Sequence, residues 1–373
     1  MDKGAVMNHT DTPYQDAVEL LSDLIRTPSF SREEDQTASV ICRFLGLHRV
    51  EHSRTANNVF AFNRHFDPAR PTILLNSHHD TVKPARGYTL DPFQPVTRDG
   101  KLFGLGSNDA GGPLVSLIAA FLHFYEREGL PWNIALAATA EEEISGPGGI
   151  EALLVNPHFL EPLRGKQVAC AIVGEPTQMQ LAVAERGLMV IDAVAHGRAG
   201  HAARNEGENA ITKAMQDIQW IHGHSFSRVS ELLGPTRMTV TVIETENKAH
   251  NVVPASCRFV VDVRVNERYT FEEVLEEMRR HMQSELTPRG MRMRSTSIAQ
   301  DHPLVQAGLS MGRKPYGSPT TSDKALMPFP ALKMGPGDSA RSHTPDEYIY
   351  LDEIREGIDL YIELLERFFR QAA

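Results

Sequence analysis

Apolar residues recur at helical spacing near the start of the chain. Ala17, Leu20, Leu21, Leu24 and Ile25 fall on one face, Thr12-Pro13 opens the segment with proline at the first helical position, and Thr27-Pro28-Ser29 closes it. Further on, short continuous apolar runs alternate with longer helical ones. Residues 72–76, 134–138 and 168–173 read as buried strands, and residues 113–125 as a well-buried helix. Strands alternating with helices predict an α/β domain on a mostly parallel sheet covered on both faces. In such sheets ligands bind beyond the carboxyl ends of the strands.

The rhythm changes near residue 188. Residues 188–195 read as a strand, 209–221 as a helix, 238–243 and 259–265 as two alternating strands, 271–282 as a second helix and 291–297 as a last strand. That order, β-α-β-β-α-β, is the ferredoxin-like split unit. It predicts an inserted domain at 187–298 inside a first domain made of 1–186 and 299–373. Residues 351–369 read as a terminal amphipathic helix.

Composition narrows the function classes. The 373 residues carry 38 basic and 48 acidic side chains, a net charge of −10, which disfavours general binding to nucleic acid or to an acidic membrane. Three scattered cysteines (Cys42, Cys170 and Cys257) make neither a disulfide framework nor a cysteine metal site. The polar stretch 1–14 has no apolar segment of the kind a secretory signal carries, and no apolar run reaches membrane-spanning length. The expectation is a soluble cytoplasmic enzyme. The 16 histidines direct attention to metal chemistry.

The polar residues after each strand sharpen this. Ser77-His78-His79-Asp80 follows the first buried run. In extended chain His78 and Asp80 share a side and His79 faces the other, so His78 reads as a metal ligand and Asp80 as the carboxylate that orients it. Gly104-Leu105-Gly106-Ser107-Asn108-Asp109 precedes a helix but lacks the phosphate-loop spacing and lysine, so Asp109 reads as a carboxylate offered to a cation. Glu141-Glu142-Glu143 ends the next strand; three adjacent carboxylates repel one another and require a counter-charge. Glu175 follows the third strand, and His343 sits in Ser342-His343-Thr344-Pro345-Asp346-Glu347. Two histidines with carboxylates suit zinc, cobalt or manganese better than magnesium or calcium, and five ligands suit two metals sharing one carboxylate.

The set His78-x-Asp80, Asp109, Glu142-Glu143, Glu175 and His343 resembles that of the dinuclear zinc amidohydrolases, the family of acetylornithine deacetylase and succinyl-diaminopimelate desuccinylase. The resemblance runs over almost the whole chain and is nearest to the acetylornithine deacetylase-like members. It implies two Zn2+ per subunit, with Co2+ as a substitute. Asp109 would bridge them, His78 and Glu175 would complete one site, and Glu143 and His343 the other. It further implies Asp80 fixing the His78 ring and Glu142 as general base. The inserted unit resembles the family's lid and dimerisation domain, through Gly200-His201-Ala202 and Asn251-Val252-Val253-Pro254 leading to Asp262-Val263-Arg264. This implies a homodimer in which the partner's His201 stabilises the oxyanion, with Asn251 and Arg264 on the substrate. Arg341 and Gly337 are further candidates for substrate contact. The common Asp-Met-Lys-Gly at the bridging aspartate reads Asp109-Ala110-Gly111-Gly112 here, with no ligand lost.

The function so implied is hydrolysis of the amide bond of an N-acyl amino acid, of the N-acetyl- or N-succinyl-ornithine or -citrulline type. Hydroxide from a metal-acidified water would attack, Glu142 moving the protons. Arginine or other amino-acid biosynthesis is the setting this implies. A metallo-exopeptidase of the same family is the alternative, and a catalytically dead binding relative is a remote one, since neither ligand nor base is missing.

Overall fold

The computed structural model describes residues 12–204 and 206–371. Two compact units emerge. Of the described residues, one comprises 12–183, 298–316 and 322–371, the other 184–204, 206–297 and 317–321. The sequence-derived insert, 187–298, does not include the segment 317–321. The added segment 317–321 belongs with the second unit because Arg186 N–H donates to Ser318 and Thr321 Oγ1 donates to Arg186.

The first unit is built on a sheet with a parallel centre. The Thr72–His78 strand runs parallel to Asn133–Thr139 on one side and to Cys170–Val173 on the other, and Ala331–Lys333 continues parallel beyond the latter. Every residue of Thr72–His78 and Asn133–Thr139 is buried, as a strand covered on both faces demands. The Gly112–Tyr125 helix packs on one face together with the terminal Leu351–Gln371 helix. Phe60, Leu74, Ala135, Ile150, Leu153 and Phe159 form a core cluster that includes the short helices of residues 150–160. The sheet is mixed rather than mostly parallel. His52–Thr55 and Asn58–Phe62 form a hairpin laid antiparallel on Asn133–Thr139. Its two-residue turn, Ala56-Asn57, places Ala56 at φ +49° without the glycine that would have announced it.

Register puts chemistry at one end. His78 lies opposite Thr139, and Asn76 opposite Val173. The residues that follow, Asp80, Glu142-Glu143 and Glu175, therefore emerge together at the carboxyl ends. Gly174 packs closely at this end, where a Cβ would lie 2.6 Å from Leu117 Cδ1 and 3.1 Å from Ser77 Cβ.

The second unit is an antiparallel sheet in the order Arg237–Glu244, Ser256–Val265, Gly187–His196, Glu285–Pro288. The helices Ala210–Gly223 and Phe271–His281 share a core with its apolar residues. This is the split β-α-β-β-α-β order. The last strand is Glu285–Pro288, not residues 291–297; of the latter only Thr296–Ser297 is paired, with Ala184 and Glu185. The cause is buried Asp217, whose carboxylate accepts Gln283 N–H, Ser284 N–H and Ser284 Oγ at 3.0, 2.9 and 2.6 Å. It turns the chain into the sheet directly after the helix. Replacing Asp217 with alanine strands these donors, and a loss of about 1–3 kcal/mol is expected in denaturant unfolding. Unchanged stability would contradict the role.

Candidate metal centre

The site is set by where three buried strands end. His78 is the last residue of its strand, and fully buried Asp80 lies two residues on. The Asp80 carboxylate accepts the Ser31 hydroxyl at 2.7 Å and the N–H groups of Glu142 and Glu143 at 3.1 Å each. One carboxylate thus ties the end of one strand to the turn that ends its neighbour. His78 Nδ1 lies 3.0 Å from the Asp80 carbonyl oxygen and 3.3 Å from Asp80 Oδ1. This turns Nε2 toward Asp109 Oδ1 at 3.5 Å, Glu175 Oε1 at 3.8 Å and Glu142 Oε2 at 3.9 Å.

Asp109 comes from the glycine loop that opens the Gly112–Tyr125 helix. His343, at φ +58°, comes from the loop before the terminal helix. Its Nε2 is 3.0 Å from Glu143 Oε2 and 3.6 Å from Asp109 Oδ2. Two donor trios result, His78/Asp109/Glu175 and Asp109/Glu143/His343, each with its donor atoms within 4.8 Å of one another. Asp109 belongs to both.

These residues fit a pair of divalent cations. Donors at ~2.0–2.2 Å from a tetrahedral ion lie roughly 3.4 Å apart, and the His-to-carboxylate spacings above run from 3.0 to 3.8 Å. His78 Nε2 is buried with no hydrogen-bond partner among the described residues, which is costly unless a cation takes its lone pair. The electrostatics agree. Burial, together with Glu175, Asp323 and Glu143, pushes the Glu142 carboxyl well above its usual range. Burial likewise raises Glu143. For His78 burial acts downward, but Glu142, Asp109 and Asp80 outweigh it and raise the imidazole well above normal. Hydrogen bonding to Glu143 lifts His343 to about 9. Without metal, protons occupy the places where cations belong.

The remaining sequence candidates divide. His79 is structural, its ring nitrogens at 2.9 Å from Thr37 Oγ1 and from the Asn57 carbonyl. Arg341 is not presented to a substrate anion. Its two terminal nitrogens pair with Glu353 at 2.8 and 2.5 Å, and its guanidinium lies 5.1 Å from the Tyr348 ring centre. Gly337, at φ +89°, packs where a Cβ would lie 2.6 Å from Asn108 Oδ1. In the second unit, Arg264 grips Asp262 at 2.8 and 3.0 Å. His201 and Asn251 are exposed there; His201 pairs with Val252, and the Asn251 carbonyl accepts Ala202 N–H.

Four buried or half-buried residues around the centre escape sequence reasoning. Asn108 bridges to the late loop through Asp338 and Ser342. Buried Glu34 accepts Glu141 N–H and Asn57 Nδ2. Asp323 accepts Asn76 Nδ2 at 3.0 Å and Thr139 Oγ1 at 2.8 Å, beneath the two strand ends. Glu347 accepts N–H groups of the Asp109 loop. No local pattern marks Glu34 or Asp323; for Glu347 the signal was its place four residues after His343.

Two outcomes follow for the protein in solution. Zinc uptake at pH 7.5 should release protons held by His78 and His343, seen as a calorimetric heat that depends on buffer ionisation enthalpy; binding without proton release would contradict the site. Burial raises Asp323 to about 6. Below the unfolded value near 3.8 it is protonated in both states; as pH climbs through 6 the folded state loses that proton-linked advantage. Metal-stripped protein should therefore lose thermal stability between about pH 4 and 6, and Asp323→Asn should flatten that decline. An identical decline in the variant would contradict the burial argument.

The chain is similar to known proteins. Residues 74–367 match the sequence model of peptidase family M20/M25/M40. Succinyl-diaminopimelate desuccinylase 2 of Ruegeria sp. (strain TM1040) is 28% identical over 78% of this chain and 74% of its own length. Succinyl-diaminopimelate desuccinylase of Paracoccus denitrificans is 26% identical over 96% of this chain and 100% of its own. Among solved structures, a dinuclear metal-binding M20 peptidase from Bacillus subtilis superposes with a TM-score of 0.71 at 17% identity, covering 95% of this chain and 98% of that one. That likeness speaks to fold. With the donor geometry and a family match spanning most of its length, the chain belongs to peptidase family M20/M25/M40 and is a metal-dependent amide hydrolase.

Proposed function

We propose that the chain hydrolyses an N-acyl amino acid of the N-acetyl- or N-succinyl-ornithine or -citrulline type, releasing the amino acid and acetate or succinate. The observation that carries this is the pair of donor trios sharing Asp109, with Glu142 beside them and in neither trio. The similarity to desuccinylases over nearly the full chain supports an acyl amino acid as the substrate class.

His78, Asp109 and Glu175 would hold one cation and Asp109, Glu143 and His343 the other, zinc in this reading. The pair would polarise the scissile carbonyl and acidify water toward neutral pH. Glu142 does the proton work. Its backbone N–H is anchored on Asp80, which fixes where its side chain starts. The carboxylate takes a proton from the attacking water and passes it to the leaving nitrogen, so that amide and water become carboxylate and amine. Burial raises its proton affinity, which favours the taking step. Asp80 keeps the His78 ring oriented and is a positioning residue.

In the same reading the chain acts as a homodimer through its second unit. His201 of a second copy donates to the oxyanion, and Asn251 and Arg264 bind substrate. The support is the edge strand Arg237–Glu244, which leaves Val242 45% and Ile243 54% exposed along an edge that no strand among the described residues pairs. Among the described residues no helix is long and apolar enough to cross a membrane. The three free cysteines are in keeping with a reducing, cytoplasmic setting.

Amine release with zinc or cobalt added, from N-acetyl-ornithine, N-succinyl-ornithine, N-acetyl-citrulline, N-acetyl-lysine and two dipeptides, tests the substrate class. One acylated amino acid should exceed both dipeptides in kcat/KM by at least about tenfold, roughly what one well-fitted group contributes. Turnover of the dipeptides alone would move the chain to the exopeptidase reading. Glu142→Ala should keep both cations and lose about 10²–10⁴ in kcat; near-normal turnover would remove Glu142 from the mechanism.

A further inference from the structure

The segment that supplies His343 also contains Glu347, 2% exposed and pointed back into the unit. Its Oε1 accepts Asn108 N–H at 2.8 Å and Asp109 N–H at 2.9 Å, and its Oε2 accepts Gly106 N–H at 3.2 Å. Its carbonyl oxygen accepts Gly104 N–H at 3.0 Å. One residue thus holds four backbone donors of the loop whose last member is the shared ligand. Only an ionised carboxylate offers two oxygens and no donor, so it suits three converging N–H groups. Burying a carboxylate this close to Asp109 is unfavourable in itself.

The segment is held from both sides. Arg341 pairs with Glu353, and Asp346 accepts Thr89 N–H, Thr89 Oγ1 and Leu90 N–H. Tyr348–Tyr350 then pairs with Lys101–Phe103, next to the loop that Glu347 grips. His343 and the Asp109 loop are therefore parts of one clamped assembly. The two trios depend on it unequally. His78 and Glu175 stand at the ends of buried sheet strands, and only Asp109 of that trio lies in the clamped loop. In the other trio both Asp109 and half-exposed His343 belong to it, and only Glu143 does not.

We propose that Glu347 is a positioning residue that sets the affinity of the Asp109/Glu143/His343 cation site, by clamping the Asp109 loop to the segment carrying His343. The proposal rests on the two-cation reading above. Its consequence is selective. Losing Glu347 weakens one cation site and leaves the His78/Asp109/Glu175 site tight.

Zinc titration of the full chain against a chromophoric chelator, with Co2+ absorption spectra and thermal melts alongside, tests this. Wild type should take two cations. Glu347→Gln keeps one acceptor and most of the shape but puts an NH2 group where the second oxygen accepts backbone N–H, and should weaken one of the two by about tenfold; Glu347→Ala should weaken it by about a hundredfold, the range seen when groups supporting a ligand are removed. The first cation should keep its wild-type affinity in both, and the Co2+ spectrum at one equivalent should be unchanged. Glu363→Gln, which removes an exposed charge paired with Arg367 on the terminal helix, should bind two cations as wild type does. Two cations at wild-type affinity in Glu347→Gln and Glu347→Ala would overturn the proposal, as would equal weakening of both. A wild type that takes fewer than two cations would instead overturn the two-cation reading itself.

Discussion

Carboxylates crowded at the ends of buried strands repel one another, and this chain places several there. Asp109, Glu142, Glu143 and Glu175 meet around two imidazoles in a region largely withdrawn from water. Such a cluster cannot be fully ionised without added positive charge. Protons satisfy it poorly, since each proton bound removes a donor pair that the geometry aims inward. Divalent cations satisfy it well, because they neutralise two charges at once and accept the lone pairs already aimed at them. The strand register, the close packing at Gly174 and the shared Asp109 are arrangements that keep this unfavourable cluster assembled for a cation.

Holding it requires a further tier of buried acids. Asp80, Glu34 and Glu347 each accept backbone N–H groups, and Asp323 accepts side-chain donors from the two central strands. Each fixes the chain that carries a ligand rather than reaching the reaction centre. An acceptor-only group with two oxygens can gather donors from separate segments, which a hydroxyl or amide does less completely. The cost is more buried negative charge around an already acidic site. That same charge strengthens the field that attracts cations, so positioning and affinity arise from the same residues.

The sequence revealed strand and helix identities wherever burial was uniform. Residues 72–76 and 134–138 could be little else, and the polar residues after them stood out because a strand end beside a buried sheet is where chemistry collects. His78, Asp109 and Glu175 stood out in this way, whereas His343 and the choice of Glu143 within Glu141-Glu142-Glu143 came from the family resemblance; the structure draws the five into two trios. Other features were not legible. The buried state of Glu34 and Asp323 depends on donors from distant segments, which composition does not reveal. Arg341 reads in sequence either as a cation for the substrate or as half of a local salt bridge, and its partner Glu353, twelve residues on, is not marked by any local pattern. The last strand of the second unit was displaced because Asp217 captures the chain early, a long-range contact that hydrophobic alternation at 291–297 could not signal.

The shared ligand gives the most direct test of the account. Zinc stoichiometry of wild type and Asp109→Ala, measured by metal analysis after dialysis against a zinc buffer, isolates the bridging position. The account predicts two zinc ions per wild-type chain and loss of both in Asp109→Ala, with the fold retained by circular dichroism. A variant that keeps one tightly held zinc, or a wild type that holds only one, would contradict a centre organised around Asp109.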